Sequence, residues 1–246
     1  MFTHHGKTRT LSHNKKIASL LSFVAGIVNV AGFLSVQRLT TNVTGHFAFF
    51  VDEVFKLHFA ESFVYFFLIL FFLLGSFVSN LLVEIITRKN ERLIYVIPAI
   101  IEIVILFTLA FIGHKLIAEN PNLIAFSLLF AMGLQNSLVT RISDAVVRTT
   151  HLTGLFTDLG IELSQLLFHN AKEQKDKLIS TIKLRLRIIA CFFIGGITGG
   201  IFYSYFELYV LIIPAATLII GLLYDNIKFK LLNWKRKPGT KEKNAI

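Results

Sequence analysis

The sequence predicts an all-α integral membrane protein with about six spanning helices, arranged as two inverted repeats of three spans each. Three observations predict this class: an apolar composition, six apolar runs flanked by basic residues, and a short motif that occurs twice. Of the 246 residues, 54% are hydrophobic and 16% are charged, and the mean hydropathy is +0.66. Soluble domains are about 45–50% apolar and about 25% charged. The composition therefore predicts that lipid surrounds most of the chain.

The charges of the chain also favour a membrane. The formal net charge is +10, but the lysines and arginines lie at the ends of apolar runs, where such residues orient spans and contact anionic lipid. We therefore expect the lipid bilayer as a partner and no nucleic acid. Cys191 is the single cysteine, which excludes an intrachain disulfide and a cysteine metal cluster. We expect neither a metal nor a cofactor.

Six runs are long and apolar enough, or nearly so, to cross a membrane, which takes about 20 residues. The first run is longer than the apolar core of a signal peptide, which has about 7–15 residues, so we interpret it as a retained span. A tight turn at Phe206 and Glu207 separates the last two runs. The runs are 17–36, 62–83, 93–113, 122–139, 188–206 and 208–224. They divide the chain into a basic tail, two repeats and a second basic tail, which are 1–16, 17–113, 122–224 and 225–246.

The basic residues between the runs predict the orientation. With the N-terminus in the cytoplasm, 22 lysines and arginines fall on the cytoplasmic side and 3 on the opposite side. An excess of this kind marks the cytoplasmic side of a membrane protein. The sequence therefore predicts a multi-pass protein of the cytoplasmic or inner membrane, with both termini in the cytoplasm.

Two further segments, 43–59 and 152–168, do not fit the count of six. Both are rich in apolar residues, yet the first contains Asp52 and Glu53 and the second contains Asp158 and Glu162. If both segments spanned the membrane, there would be eight spans and the basic residues would divide 19 to 6. We favour six spans, with these segments as re-entrant or interfacial half-helices, because irregular backbone at membrane depth is tolerated where protein or water covers it.

An internal repeat supports this interpretation. The segment 40–45 (TTNVTG) matches 149–154 (TTHLTG) in four of six positions, at an offset of 109. Companion matches follow in the same order on both sides, which favours duplication. With three spans in each copy, the second copy faces the opposite way, as in many secondary transporters. The companion matches pair 25–29 with 132–136, 75–79 with 195–199, and the segment around Pro98 with that around Pro214.

The two TTxxTG segments are the candidate binding site. Threonine hydroxyls satisfy backbone groups in a broken helix, glycine permits unusual backbone angles, and a helix that restarts there presents free N–H groups to a ligand. The alternative is a cap and turn that only packs. Amides inside the spans either bridge helices or contact the solute. The candidate substrate-binding residues are Thr41, Asn42, Thr44, Gly45, Thr150, His151, Thr153, Gly154, Asn29, Gln135 and Asn136.

Four carboxylates are candidates for a polar or proton path. Glu53 follows the first motif, and Asp158 and Glu162 follow the second, at helical spacing. The alternative for these three is the polar face of an interfacial helix. Glu102 lies between Ile101 and Ile103 in the middle of a predicted span, where a carboxylate is costly and marks a functional site. Its alternative is a neutral side chain hydrogen-bonded to another helix.

The glycines Gly195, Gly196, Gly199 and Gly200 form overlapping small-xxx-small patterns, which predict close helix packing. Enzyme signatures such as the P-loop, HExxH and GxSxG are absent from the sequence. We therefore expect no enzyme, although His151, Asp158 and Glu162 offer residue types that an intramembrane enzyme could use.

The segment 131–136 (AMGLQN), followed by 149–154 (TTHLTG) and 158–160 (DLG), resembles a signature of the YoaK-like proteins. The resemblance extends over most of the chain, from Ile17 to Tyr224. In the first copy the family usually has Asp at the position of Asn29 and Asn at the position of His46. The resemblance implies a bacterial multi-pass membrane protein and gives no substrate, because this is a family of unknown function.

The repeat, the broken-helix motifs and Glu102 together favour a small-solute secondary transporter or permease of the bacterial cytoplasmic (inner) membrane. The alternative is a membrane-embedded interaction or scaffold protein without transport activity. A homo-oligomer is compatible with either hypothesis.

Overall fold

All regular secondary structure in the described part of the chain is helical. The computed structural model describes residues 11–87, 94, 96–143, 145–168 and 171–235. The helices are α1 (Leu11–Val36), α2 (Val43–Phe55), α3 (Phe59–Thr87), α4 (Val96–Glu119), α5 (Pro121–Ile142), α6 (Leu152–Phe168), α7 (Lys172–Phe206) and α8 (Ile212–Lys235). A short 3₁₀ helix, Glu207–Leu211, joins α7 to α8. The predicted all-α class is confirmed.

Five helical segments of the described chain are long and apolar enough to cross a membrane. They are Asn14–Val36, Phe59–Thr87, Val96–Glu119, Pro121–Ile142 and Lys172–Tyr224. The last has 53 residues, which would measure about 80 Å as one straight helix. It is interrupted at Glu207, whose φ is +47°, at the turn that the sequence predicts. The runs 188–206 and 208–224 lie on either side of this turn.

The two segments that did not fit the span count form separate short helices. The 13 residues of α2 measure about 20 Å and the 17 residues of α6 about 25 Å, whereas the hydrocarbon core is about 30 Å thick. Other boundaries differ from the predicted ones. The first helix begins at Leu11, inside the predicted tail, and α7 begins at Lys172, well before the predicted run at 188. The first half of α7 was missed because its many charges hide a helix that extends beyond the apolar part.

Glycines bring the long helices together in two pairs, α1 with α7 and α3 with α5. A Cβ atom built on Gly26 of α1 would lie 2.1 Å from the carbonyl oxygen of Phe192 in α7. A Cβ on Gly75 of α3 would lie 2.1 Å from the carbonyl oxygen of Phe130 in α5. Only glycine permits such an approach of two backbones, which is how small residues promote helix packing in lipid.

The core lies along α1, α4 and α5, and the outer surface is apolar. Ile17, Leu21 and Leu128 are fully buried, whereas Phe55 is 86% exposed and Phe193 is 68% exposed. A soluble monomer rarely exposes large apolar patches. The exposed phenylalanines and leucines are therefore the surface that contacts the lipid bilayer.

Candidate functional site

The two TTxxTG segments line one cavity of about 790 Å³ between the packed helices. Its polar lining residues are Asn29, Thr41, Asn42, Thr44, Gly45, Asn136, Thr140, Arg148, Thr150, His151 and Thr153. Apolar side chains, including Phe72 and Phe192, complete the wall. The sequence-predicted residues Gln135 and Gly154 are not part of this lining. Residues 109 positions apart in the sequence thus face the same space.

Matching hydrogen bonds hold the two motifs in the cavity wall. The Thr41 hydroxyl donates to Asn29 Oδ1 over 2.8 Å, and the Thr150 hydroxyl donates to Asn136 Oδ1 over the same distance. In the predicted repeat, Thr41 corresponds to Thr150 and Asn29 corresponds to Asn136. The two halves of the chain therefore build their parts of the site in the same way.

The first threonine of each motif is buried and ties the loop back to the preceding helix. The Thr40 hydroxyl donates to the carbonyl oxygen of Val28 over 3.2 Å, and the Thr149 hydroxyl accepts a hydrogen bond of 3.4 Å from Gln135 Nε2. Each loop thus returns along its own helix, past about two turns, before the next helix begins. A residue with positive φ makes each reversal, Gln37 at +54° and Ala145 at +62°.

The starts of α2 and α6 face the cavity and are built differently. Asn42 caps α2, since its Oδ1 accepts a hydrogen bond of 3.0 Å from the Gly45 N–H. At α6 the equivalent residue is His151, whose Nδ1 would lie 2.4 Å from a Cβ built on Gly154. Any larger residue in place of Gly154 would therefore have to displace the imidazole ring that covers it.

Arg148 is the one cation in the described lining of the cavity. Its side chain is exposed and, within the described ranges, has no hydrogen bond or ion pair. No carboxylate occurs among the described lining residues. The site therefore combines an unpaired positive charge with the N-terminal ends of two helices, which carry partial positive charge.

The carboxylates predicted for a polar path lie away from this cavity. Asp158 and Glu162 both bind Arg185 of α7, at 2.8 and 2.9 Å. Glu53 forms a hydrogen bond with His58 at the far end of α2, at 2.9 Å between Glu53 Oε2 and His58 Nδ1. Asp158 and Glu162 therefore attach the middle of α6 to α7, and Glu53 is engaged at the end of α2.

The cation next to Glu53 is also held by a carboxylate. Lys56 donates a hydrogen bond of 2.5 Å to Asp52, and the bonded carboxylate raises the pKa of the Lys56 amine. The C-terminal end of α2 therefore carries a cluster of charged side chains that bind one another.

Glu102 is fully buried in α4, and neither of its carboxyl oxygens has a hydrogen-bond partner in the described structure. Glu102 does not line the cavity described above. The alternative prediction was a hydrogen bond from Glu102 to another helix, and the described residues provide no such partner. Burial without a partner disfavours an ionised carboxylate.

A second cavity of about 520 Å³ adjoins the first through Asn136 and Thr140, which line both. Ser76, Asn80, Ser137 and Arg141 complete its polar wall toward the ends of α3 and α5. Sequence reasoning missed these residues, together with Arg148. The signal was present in the four-residue spacing of Ser76 and Asn80, which places two polar side chains on one face of an apolar helix.

The sequence comparisons place the chain in a family. The family model described as "Protein of unknown function (DUF1275)" matches residues 17–224. The chain belongs to this family. It is 25% identical over 217 residues to the UPF0700 transmembrane protein YoaK of Bacillus subtilis (strain 168). The aligned region covers 86% of this chain and 93% of the relative. The DUF1275 match confirms the resemblance to YoaK-like proteins, and with the structure it identifies a multi-pass membrane protein. No solved structure matches the chain.

Proposed function

We propose that the protein is a small-solute secondary transporter or permease of the bacterial cytoplasmic membrane. The observation that carries the proposal is the cavity of about 790 Å³ whose wall contains both TTxxTG motifs. Ligand sites typically occupy about 300–1,000 Å³, with an apolar wall and a few placed polar groups. In transporters with internal repeats, such sites lie near the membrane midplane where helices are interrupted.

The proposed architecture has six spans, with α2 and α6 as half-helices. The 13 residues of α2 are too few to cross the hydrocarbon core, and the 17 residues of α6 are at the lower limit for a span. Both helices begin at loops that return along the preceding helix. With the N-terminus in the cytoplasm, α2 then runs from the midplane to the outer face and α6 runs from the midplane to the cytoplasm. In this arrangement the C-terminal end of α8 lies on the cytoplasmic side. Both termini are then cytoplasmic, as the distribution of the basic residues favours.

Inverted duplication is supported by the packing of the helices. The first helix of each half packs on the third helix of the other half, α1 on α7 and α5 on α3. The contact glycines correspond in the sequence repeat, Gly26 to Gly133 and Gly75 to Gly195. A Cβ built on any of the four would lie 2.1–2.2 Å from a carbonyl oxygen of the partner helix. We propose a pseudo-two-fold axis in the membrane plane, through the cavity.

The second cavity supplies the route to the cytoplasm in this proposal. It connects the site to the ends of α3 and α5 along Ser76, Asn80 and Ser137. On the opposite side, the repeat places Val30 where Ser137 lies and glycines where Ser76 and Asn80 lie. A Cβ built on Gly196 would be 3.2 Å from Val30 Cγ2, so this side is packed with apolar atoms. The structure therefore fits a state that is open toward the cytoplasm.

Within this proposal the threonines and asparagines of the wall bind the solute, and Glu102 is kept as a candidate proton carrier. We propose no catalytic role for the protein. Asp158 and Glu162 are both engaged by Arg185, which leaves His151 without a carboxylate partner in the described chain. An acid–base pair needs its groups within hydrogen-bond reach.

Solute flux into proteoliposomes tests the proposal. Stopped-flow light scattering would follow vesicle reswelling after an osmotic shift with glycerol, urea, potassium chloride, potassium nitrate or potassium lactate, with valinomycin present for the potassium salts. We expect wild-type vesicles to reswell faster than protein-free vesicles for at least one solute. Thr150→Val should reduce that rate, because the methyl group replaces a cavity-lining hydroxyl.

The matched control is Thr198→Val, which removes a hydroxyl that bonds only to Ile194 of its own exposed helix face. This variant should reswell at the wild-type rate. Wild-type vesicles that are no faster than protein-free vesicles for every solute would contradict transport and favour the scaffold alternative.

A further inference from the structure

We propose that the cavity between α2 and α6 selects a small monovalent anion. This inference rests on the proposed function, and it names the chemical class of the solute. It is carried by three features of the described wall: a single unpaired guanidinium, a set of N–H donors without acceptors, and the lack of a carboxylate.

The guanidinium belongs to Arg148, which lies one residue before the second motif. Elsewhere in the described chain, Arg141 binds Glu84 at 2.6 Å and Arg185 binds two carboxylates. Arg148 instead faces the cavity without an ion pair. Guanidinium groups bind carboxylates and other oxyanions through parallel N–H donors. An anion in the cavity would supply the partner that the described residues do not.

Further donors surround the same space. The amide nitrogen of Asn136 is buried and has no hydrogen-bond acceptor, while its Oδ1 is occupied by Thr150. The first N–H groups of a helix have no partner within the helix, and both α2 and α6 begin at the cavity wall. Only the Gly45 N–H is capped by a side chain, that of Asn42. These donors favour a ligand that accepts hydrogen bonds and carries negative charge.

A cation finds no comparable site here. The described lining has no carboxylate, and the nearest carboxylates along α6, Asp158 and Glu162, are both bound by Arg185 outside the cavity. One guanidinium balances one negative charge, which favours a monovalent ligand. Phe72, Phe192 and Leu39 line the remaining wall, so that a short apolar body attached to a carboxylate fits as well as an inorganic ion.

The test is the reswelling assay with proteoliposomes of full-length protein, in which chloride and nitrate represent inorganic anions and lactate represents carboxylates. Valinomycin carries potassium, so that reswelling reports anion entry. We expect wild-type protein to accelerate reswelling with at least one of these salts. The salt that accelerates reswelling shows whether the transported anion is inorganic or a carboxylate. Arg148→Gln should slow that flux by about tenfold or more, because a hydrogen bond to a charged group is lost. Arg148→Lys should recover part of it.

The matched control is Arg187→Gln, which removes an exposed arginine of α7 that does not line the cavity. It should transport at the wild-type rate, which separates a local role of Arg148 from a change in net charge. Because Arg148 is exposed and has no partner among the described residues, Arg148→Gln should also keep the wild-type thermal stability, which checks that the variant folds.

The outcomes separate the two proposals. Reswelling with glycerol or urea but with none of the anions would overturn anion selection and leave transport in place. Anion flux that Arg148→Gln leaves unchanged would also overturn the assignment of this site. Reswelling with no solute of either kind would overturn both proposals.

Discussion

The Thr150 hydroxyl donates a hydrogen bond of 2.8 Å to Asn136 Oδ1 near the start of α6. The pair joins the loop before α6 to the face of α5 that lines the cavity. The same geometry recurs between Thr41 and Asn29 in the first half of the chain. A hydrogen bond that recurs at both TTxxTG segments, in the wall of one cavity, links the fold to the proposed site.

Replacing both members of this pair should lower the free energy of unfolding by less than the sum of the two single replacements. Thr150→Val and Asn136→Ala each break the same bond, so the double variant should show a coupling energy of about 1 kcal/mol in the free energy of unfolding. Thermal or denaturant unfolding of the detergent-solubilised protein would measure it. Strictly additive losses would indicate that the two side chains do not stabilise each other.

A methyl group at the helix contacts should destabilise the protein. Gly26→Ala and Gly133→Ala would place Cβ atoms 2.1 and 2.2 Å from backbone oxygens, which forces the helices apart at a cost of about 1–3 kcal/mol. The control is Gly160→Ala in α6, where nothing lies within 4 Å of the new atom. This change should stabilise the helix by up to about 1 kcal/mol. Unfolding midpoints would measure all three variants, and equal midpoints would refute the proposed close packing.

Arg185 should hold α6 against α7. Its guanidinium is 23% exposed and binds Asp158 together with Glu162, whose side chain is 12% exposed. Arg185→Gln should therefore lower the free energy of unfolding by about 1–3 kcal/mol, a value between those for exposed and buried ion pairs. Hydrogen exchange of α6 should rise more in this variant than in Lys183→Gln, which removes an exposed cation two residues away. Identical exchange in the two variants would contradict a structural role of the ion pairs.

Glu102→Gln separates a proton carrier from a packing residue. The amide is close in size to a neutral carboxyl, so we expect the variant to fold with wild-type stability. If solute entry is coupled to proton uptake, the uptake should disappear, because an amide does not exchange a proton in this way. A pH-sensitive dye inside the proteoliposomes would report it. Proton uptake equal to that of the wild-type protein would exclude Glu102 from the path.

Much of this architecture could be predicted from the amino-acid order, for reasons that individual elements make clear. Apolar runs and basic flanks respond directly to the bilayer, so α3 and α5 enclose the predicted spans. The limits 152–168 of α6 match the predicted segment, since a Thr-Gly motif begins it. The glycine patterns predicted helix packing but not which helices would meet, because that choice depends on the whole three-dimensional arrangement.

The site was predicted only in part for the same kind of reason. The TTxxTG motifs were found because they repeat, whereas Arg148 occurs once and resembles any cytoplasmic arginine. Asp158 and Glu162 were expected on a polar path because they lie at helical spacing. Their partner Arg185 is more than 20 residues away in a region that reads as a charged loop. Pairing over such a distance leaves no periodic pattern in the sequence.

The central claim is that α2 and α6 enter one cavity from opposite sides of the membrane. Cysteine labelling tests it directly in a Cys191→Ser background, with His58→Cys after α2 and Glu173→Cys at the start of α7. A membrane-impermeant maleimide applied to intact cells should label position 58, whereas position 173 should react only after permeabilisation. Labelling of both positions from the same side would show that α2 and α6 span the membrane, giving eight parallel-repeat spans, and would contradict the account.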